Sequence, residues 1–203
     1  MTTNPLAHCK HWIFDMDGTL TLAVHDFDEI RKSLGIVEGK PILEAISEMP
    51  KEKAAPLMQQ LFDIEMEIAE QAAPQPGALE LLEHLTANNC SLGILTRNGV
   101  EIAVATLKAA GLAEYFATDT VLGRESCAPK PDPAGILLHL SAWQATAENT
   151  VMVGDYRFDL ESGHRAGVHT VHLDVDDGEQ WPELTSHRVT SLLELKQLAD
   201  NNT

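Results

Sequence analysis

Short apolar runs alternate with segments of helical periodicity from residue 78 to residue 173, and this alternation constrains the fold more than any other feature. Strands that alternate with helices form βαβ units, and parallel strands buried on both faces consist of short apolar runs. The pattern therefore predicts an α/β fold with a doubly wound parallel sheet. The predicted strands cover 91–95, 120–122 and the segments from 151 and 168, and the predicted helices cover 78–87, 100–110, the segment after Pro133 and about 158–166.

The part of the chain before residue 76 has a different pattern. An apolar run at 12–14 predicts a first strand, but the apolar residues that follow it have only helical spacing. The longest predicted helix, 51–72, places apolar residues three and four positions apart and ends before a segment rich in proline. We therefore predict a core formed by 1–21 and 76–203, with a small all-helical domain, 22–75, inserted after the first strand.

Charge and hydropathy exclude several classes of protein. The 203-residue chain has a formal net charge of −17 and no local cluster of Lys and Arg, so nucleic acid and anionic membranes are excluded as partners. Its apolar segments are too short for a signal peptide or for a membrane span of about 20 residues, which predicts a cytoplasmic location. Three cysteines without CxxC spacing predict neither a disulfide framework nor a structural zinc site.

Polar side chains follow the predicted strands at the point where each strand ends. The carboxyl ends of parallel strands share one edge of the sheet, and ligands bind outside that edge. We therefore expect these side chains to converge from distant parts of the sequence. They are Asp15 and Asp17 after the first strand, Thr96 after the second, Asp155 and Asp159 after the run VMVG, and Lys130 in the loop APKPDP before a helix.

Two carboxylates one residue apart, Asp15 and Asp17, repel each other unless a cation lies between them. Three carboxylates with a lysine at one edge suit magnesium, which prefers a few carboxylate oxygens together with water and phosphate oxygens. Taken singly, the same residues have simpler interpretations. The segment DMDGT also suits a turn, and Asp155 also suits the N-cap of a helix.

Four segments together resemble a known family. The segments DMDGT, ILTRN, PKPDP and GDYRFD match, in order and spacing, the four motifs of the haloacid dehalogenase superfamily. The chain is most similar to the branch of phosphoglycolate phosphatases and β-phosphoglucomutases, whose helical cap domain is inserted after the first strand of a Rossmann-like core. The resemblance extends from about Ile13 to Leu173.

The resemblance implies a role for each carboxylate. Asp15 would attack phosphorus and become an aspartyl phosphate, and Asp17 would act as general acid and then general base. Mg²⁺ would be bound by Asp15, by the backbone carbonyl of Asp17 and by Asp155. Asp159 would hold a metal-bound water or orient Lys130.

The resemblance also implies a phosphate site. Thr96 and Lys130 would contact the phosphoryl oxygens, and Gly18 would let the backbone pass close to the phosphate. Arg97 and Asn98 lie where the family contacts substrate or orients the cap. A simpler interpretation makes them a helix-start loop with Asn98 as the N-cap.

Substrate choice in this fold depends on residues of the cap. His25, in the linker that enters the cap, is a candidate to face the site, although a loop histidine is often only solvated. Arg31 is a candidate to clamp a substrate carboxylate, and the alternative is an ion pair with Asp28 or another acid. The Asp-Ser pair usual in this branch is replaced by Leu22 and Ala23, so no specific substrate can be transferred from it.

The acid at Asp17 favours phosphoryl transfer from an oxygen ester, because the dehalogenase members of the family lack an acid there. We therefore predict a magnesium-dependent phosphatase whose substrate is a small phosphorylated metabolite: a phosphoglycolate-like compound, a sugar phosphate or a nucleoside monophosphate. Two alternatives stay open. One is a phosphosugar mutase that uses the same aspartyl phosphate, and the other is a non-catalytic binding module. The sequence predicts no oligomeric state.

Overall fold

A six-stranded parallel sheet forms the centre of the computed structural model, which describes residues 5–23, 27–36 and 41–200. The order of the strands across the sheet is β3-β2-β1-β4-β5-β6. The direction of winding changes between β1 and β4, which is where such sheets bind ligands. The strands are β1 His11–Phe14, β2 Ser91–Leu95, β3 Val121–Leu122, β4 Thr150–Gly154, β5 His169–Leu173 and β6 His187–Val189.

Helices cover both faces of the sheet. In β1, Trp12 and Phe14 pack on one face with residues of α4 and α8, and Ile13 packs on the other face with Ile136 of α6. These three side chains are fully buried, as expected for a central parallel strand. The helices are α1 Phe27–Ser33, α2 Ile42–Ser47, α3 Lys51–Ala69, α4 Ala78–Ala87, α5 Val100–Ala109, α6 Ala134–Trp143, α7 Arg157–Ala166 and α8 Leu192–Ala199, with 3₁₀ turns at Pro5–His8, Ala113–Tyr115, Thr118–Thr120 and Ala147–Asn149.

Helices α1 to α3 form the insert between β1 and α4. They pack around an apolar cluster of their own, which includes Ile30, Ile46 and Leu61 and is separate from the clusters on the sheet. The two segments that connect the insert to the core run side by side, because the Leu22 N–H donates to the Ala73 carbonyl at 3.0 Å. The predicted fold class, a doubly wound parallel sheet with an all-helical insert, is confirmed. The domain boundaries stay a prediction.

Two elements near the C-terminus were not predicted. Strand β6 has three residues, of which only Val189 is buried, so it lacks the apolar run of the other strands. Helix α8 begins at the N-cap Ser191, whose hydroxyl accepts from the Glu194 N–H at 3.2 Å. Helix α3 ends at Ala69, three residues before the predicted end. None of the described helices combines the length and the apolar character that crossing a membrane requires.

Candidate active site

The loop after β1 begins the site. The Asp15 N–H donates to the Val153 carbonyl at 2.9 Å, which fixes this loop at the point between β1 and β4. Gly18 has a φ of +82°, and a Cβ there would lie 2.3 Å from Oδ2 of Asp155. The structure therefore provides a second reason for a glycine at position 18, besides the predicted approach to phosphate. A larger residue would displace the Asp155 carboxylate.

Three carboxylates converge at this edge of the sheet. One oxygen each from Asp15, Asp155 and Asp159 lies within 4.8 Å of the other two. Such a set of hard oxygen donors fits a divalent cation. Asp159, which was predicted to hold a metal-bound water or orient Lys130, thus belongs to the cluster just as the predicted ligand Asp155 does. The Asp17 carboxylate lies outside the cluster.

Lys130 binds two of these carboxylates. Its Nζ lies 2.6 Å from Oδ1 of Asp15 and 2.5 Å from Oδ1 of Asp159, and the side chain is buried. A buried lysine requires such partners, since an unpaired buried charge is very costly. Burial alone would lower the pKa of Lys130, but Asp15 and Asp159 outweigh it and raise that pKa. The lysine is therefore a fixed positive charge.

Burial and the nearby charge of Asp15 favour the protonated forms of the other three carboxyl groups in the site. The pKa values of Asp17, Asp155 and Asp159 are each raised to about 7. Loss of hydration is the largest cause for each of the three, and the nearby charge of Asp15 is the second. A divalent cation at the cluster would offset this repulsion.

Residues after β2 face the loop of Asp15 and Asp17. The Asn98 side-chain amide donates to Oδ2 of Asp17 at 2.7 Å, and the Asn98 N–H donates to the Thr96 hydroxyl oxygen at 3.1 Å. Thr96 is buried. The N-cap of α5 is Gly99, so the alternative interpretation of Asn98 as the cap is wrong.

Arg97 joins the core to the insert. Its Nη2 lies 2.5 Å from Oε1 of Glu44 on α2, and its guanidinium lies 5.4 Å from the centre of the Phe158 ring. Arg31 forms an ion pair with Asp28 at 2.8 Å, which is the simpler of its two predicted interpretations. The other cap candidate, His25, lies outside the described residues.

A cavity of about 510 Å³ lies between the core and the insert. The core contributes the cluster of carboxylates with Lys130, Thr96, Arg97 and Asn98. The insert contributes mainly apolar side chains, among them Ile30, Ile42 and Leu61. A reacting group at the carboxylates would therefore be covered by the insert.

Several site residues were not predicted. Tyr156 and Phe158 line the cavity, and their position between Asp155 and Asp159 was an available signal. The Thr19 hydroxyl donates to Oδ1 of Asp155 at 3.3 Å.

Two acids of the insert were also missed. Glu65 is buried on the face of α3 that carries Leu61 and Ala69, and a carboxylate on an apolar face was a signal as well. It pairs with Arg124 of the core. Glu44 offered no comparable signal.

Comparison with known proteins identifies the family. The model of the haloacid dehalogenase-like hydrolases matches residues 12–173. The chain belongs to the haloacid dehalogenase-like hydrolases. An uncharacterized hydrolase of Saccharomyces cerevisiae is 30% identical to this hydrolase over 97% of the chain and 93% of its own length. A phosphoglycolate phosphatase of Caulobacter vibrioides is 28% identical over 76% of the chain and 75% of its own length.

Solved structures agree on the fold of this haloacid dehalogenase-like hydrolase. The crystal structure of a hydrolase from Pseudomonas syringae superposes with a TM-score of 0.77 and 24% identity, covering 93% of this chain and 96% of that one. The match to the family model and the phosphatase among the relatives confirm the predicted family and enzyme class, a phosphatase of the haloacid dehalogenase superfamily.

Proposed function

We propose that this hydrolase is a magnesium-dependent phosphatase of small phosphorylated metabolites, with Asp15 as the nucleophile. One observation carries the proposal: the oxygens of Asp15, Asp155 and Asp159 cluster within 4.8 Å at the base of a cavity that both parts of the chain line. The phosphoglycolate phosphatase of Caulobacter vibrioides among the relatives supports a small phosphorylated substrate.

In the first step, an oxygen of Asp15 forms a bond to phosphorus as the bond from phosphorus to the leaving oxygen breaks. Asp17 gives its proton to that leaving oxygen. The pKa of Asp17, raised to about 7 by burial and by Asp15, lets it hold this proton near neutral pH. In the second step, Asp17 takes a proton from water as the water oxygen attacks phosphorus, which releases phosphate and restores Asp15.

Other residues of the chain hold the phosphoryl group and the nucleophile in place. Lys130 supplies positive charge beside Asp15. We expect the Thr96 hydroxyl to donate to a phosphoryl oxygen. Asn98 holds the Asp17 carboxylate away from the cluster. Asp15, Asp155 and the backbone carbonyl of Asp17 would hold Mg²⁺, with Asp159 close by. When bound, the cation stabilises negative charge on the transferring phosphoryl group.

We also propose that residues 22–75 act as a cap that covers the reacting groups. The apolar side chains that the insert directs into the cavity support this role, because excluding water strengthens the electrostatic interactions in the site. No observation favours the mutase over the phosphatase.

The test is phosphate release from a panel of phosphate monoesters, with and without Mg²⁺, by the wild type and by Asp15→Asn. We expect magnesium-dependent release that Asp15→Asn reduces at least about a thousandfold, since one isosteric change removes the nucleophile and a metal ligand. Asp119→Asn, the same substitution at an exposed site, is the matched control and should keep wild-type turnover. Near-normal turnover by Asp15→Asn would refute the mechanism. Transfer of phosphate between positions of a hexose, without release, would favour the mutase.

A further inference from the structure

The cations that line the cavity already have acidic partners. Lys130 binds Asp15 at 2.6 Å, Arg97 binds Glu44 at 2.5 Å and Arg31 binds Asp28 at 2.8 Å. Within the part of the chain that the structure describes, every cation that lines the cavity is therefore paired with a carboxylate. A second anionic group on a substrate would find no unpaired cation among these described residues.

The ion pair between Arg97 and Glu44 leaves two polar atoms without partners. Oε2 of Glu44 and Nε of Arg97 are both buried, and neither makes a hydrogen bond to the described residues. These two atoms are closed to solvent, but the Arg97 and Glu44 side chains are 27% and 45% exposed and line the cavity, so their other N–H donors and carboxylate lone pairs can bind a ligand. A hydroxyl group suits both side chains, because it can donate to the carboxylate and accept from the guanidinium.

The surroundings of this ion pair are apolar. Ile42 and Leu43, beside Glu44 in the chain, line the cavity, and Phe158 lies under the Arg97 guanidinium. A ligand that fits here combines hydroxyl groups with an exposed hydrocarbon surface. Polyols and sugars have both.

We propose that Glu44 and Arg97 select phosphate monoesters whose leaving group is neutral and carries hydroxyl groups, as in polyol and sugar phosphates. This inference rests on the proposed phosphatase function and narrows its substrate class. A leaving group with a carboxylate or a second phosphate would have to displace Glu44 from Arg97 and would then face the displaced carboxylate. Discrimination of this kind comes from repulsion of the wrong ligand as well as attraction of the right one.

The decisive comparison uses two esters with the same carbon skeleton. Glycerol 3-phosphate carries a hydroxymethyl group where 3-phosphoglycerate carries a carboxylate. For the wild type with Mg²⁺, we expect kcat/KM to be at least about tenfold higher for glycerol 3-phosphate, the factor expected for one charge-assisted hydrogen bond. p-Nitrophenyl phosphate, which has neither group, reports phosphatase activity that does not depend on this recognition.

The substitution Glu44→Gln tests the two residues directly. It keeps the shape of the side chain and removes the charge that repels an anion. We expect it to reduce the preference for glycerol 3-phosphate at least about tenfold, with the change for 3-phosphoglycerate appearing as a lower KM. Glu52→Gln is the matched control, because Glu52 is an exposed acid of α3 outside the cavity, and it should keep the wild-type preference.

The outcomes separate the two proposals. Release from p-nitrophenyl phosphate without a preference for glycerol 3-phosphate, or a preference that Glu44→Gln leaves unchanged, would overturn the assignment of Glu44 and Arg97 while the phosphatase stands. No release from any ester, p-nitrophenyl phosphate included, would overturn the proposed function and this inference with it.

Discussion

Asp15 and Asp17 are identical side chains with different surroundings, and this difference allows them different roles. Asp15 binds Lys130 and belongs to the cluster of three carboxylates, whereas the Asp17 carboxylate accepts a hydrogen bond from Asn98. A pair of acids held in such different surroundings is typical of sites that use one as nucleophile and the other as general acid.

The role proposed for Asp17 predicts a dependence on the leaving group. Asp17→Asn removes the proton donor. We therefore expect kcat/KM for an alkyl phosphate, which reports the step that releases the leaving group, to fall at least about 100-fold, the usual contribution of general acid catalysis. The loss on p-nitrophenyl phosphate should be much smaller, because p-nitrophenolate leaves without a proton. Steady-state kinetics on both esters would measure this. An equal loss on both would contradict the assignment of Asp17 as the acid.

Gly18 and Gly111 make a matched pair for a test of the proposed metal site. Both have positive φ, of +82° and +72°, but a Cβ at Gly18 would meet the Asp155 carboxylate, whereas a Cβ at Gly111 has open space. Each change to Ala should lower the free energy of unfolding by about 1 kcal/mol through backbone strain. Only Gly18→Ala should weaken Mg²⁺ binding, by about tenfold or more, the size of effect seen when a metal ligand is misplaced.

Calorimetric titration with Mg²⁺ and urea unfolding would measure the two effects separately. Equal magnesium affinities for the two glycine variants would contradict the placement of Asp155 at the metal site.

At the scale of elements, two ion pairs connect the insert to the core. Arg97 binds Glu44 of α2, and Arg124, in the loop after β3, binds Glu65 of α3. The second pair is well buried, with 15% of the Arg124 side chain and 10% of the Glu65 side chain exposed. These contacts place the insert over the carboxylates, so the lining of the cavity depends on them.

Arg124→Ala removes the cation that compensates the burial of Glu65. We expect the free energy of unfolding to fall by about 3 kcal/mol, the usual result of removing one partner of a buried ion pair. Arg157, which lies 3.9 Å from Glu161 and is 54% exposed, is the control, and Arg157→Ala should cost less than about 1 kcal/mol. Urea unfolding would measure both, and equal small losses would show that the Arg124 ion pair does not stabilise the fold.

At the scale of the whole molecule, the sequence predicted the convergence of the core residues better than the contacts between the insert and the core. Asp15, Lys130 and Asp155 are far apart in the chain, but each follows a strand or leads into a helix at one edge of a parallel sheet, so topology alone brings them together. The contact of Glu44 with Arg97 depends on how two separately packed parts meet, and no local pattern encodes that. Strand β6 was missed because a three-residue edge strand has too few buried residues for a recognisable period.

Buried histidines predict how the stability of the whole molecule depends on pH. His139 is buried, its Nε2–H donates to the Ile94 carbonyl at 3.1 Å, and burial lowers its pKa from the ordinary value of 6.5. Burial also lowers the pKa values of His11, His172 and His187. At these histidines the unfolded chain binds more protons than the folded protein below pH 6.5, so their contribution to stability falls as pH falls through that value. The raised pKa values of Asp17, Asp155 and Asp159 act in the opposite direction.

The variant His139→Gln keeps a hydrogen-bond donor but does not titrate. The unfolding free energy at pH 5, relative to that at pH 7, should therefore be higher in His139→Gln than in the wild type. Exposed His8 is the control, and His8→Gln should keep the wild-type pH dependence. An unchanged slope in His139→Gln would show that His139 does not contribute.

The central claim is that Asp15 carries the phosphoryl group during turnover. Mass spectrometry of the wild type, quenched in acid during turnover with Mg²⁺ and a hydrolysed ester, tests it most directly. We predict one added phosphoryl group on the peptide that contains Asp15, absent without substrate and absent in Asp15→Asn. Phosphate release at full rate with no phosphorylated peptide, and with turnover retained by Asp15→Asn, would contradict the account.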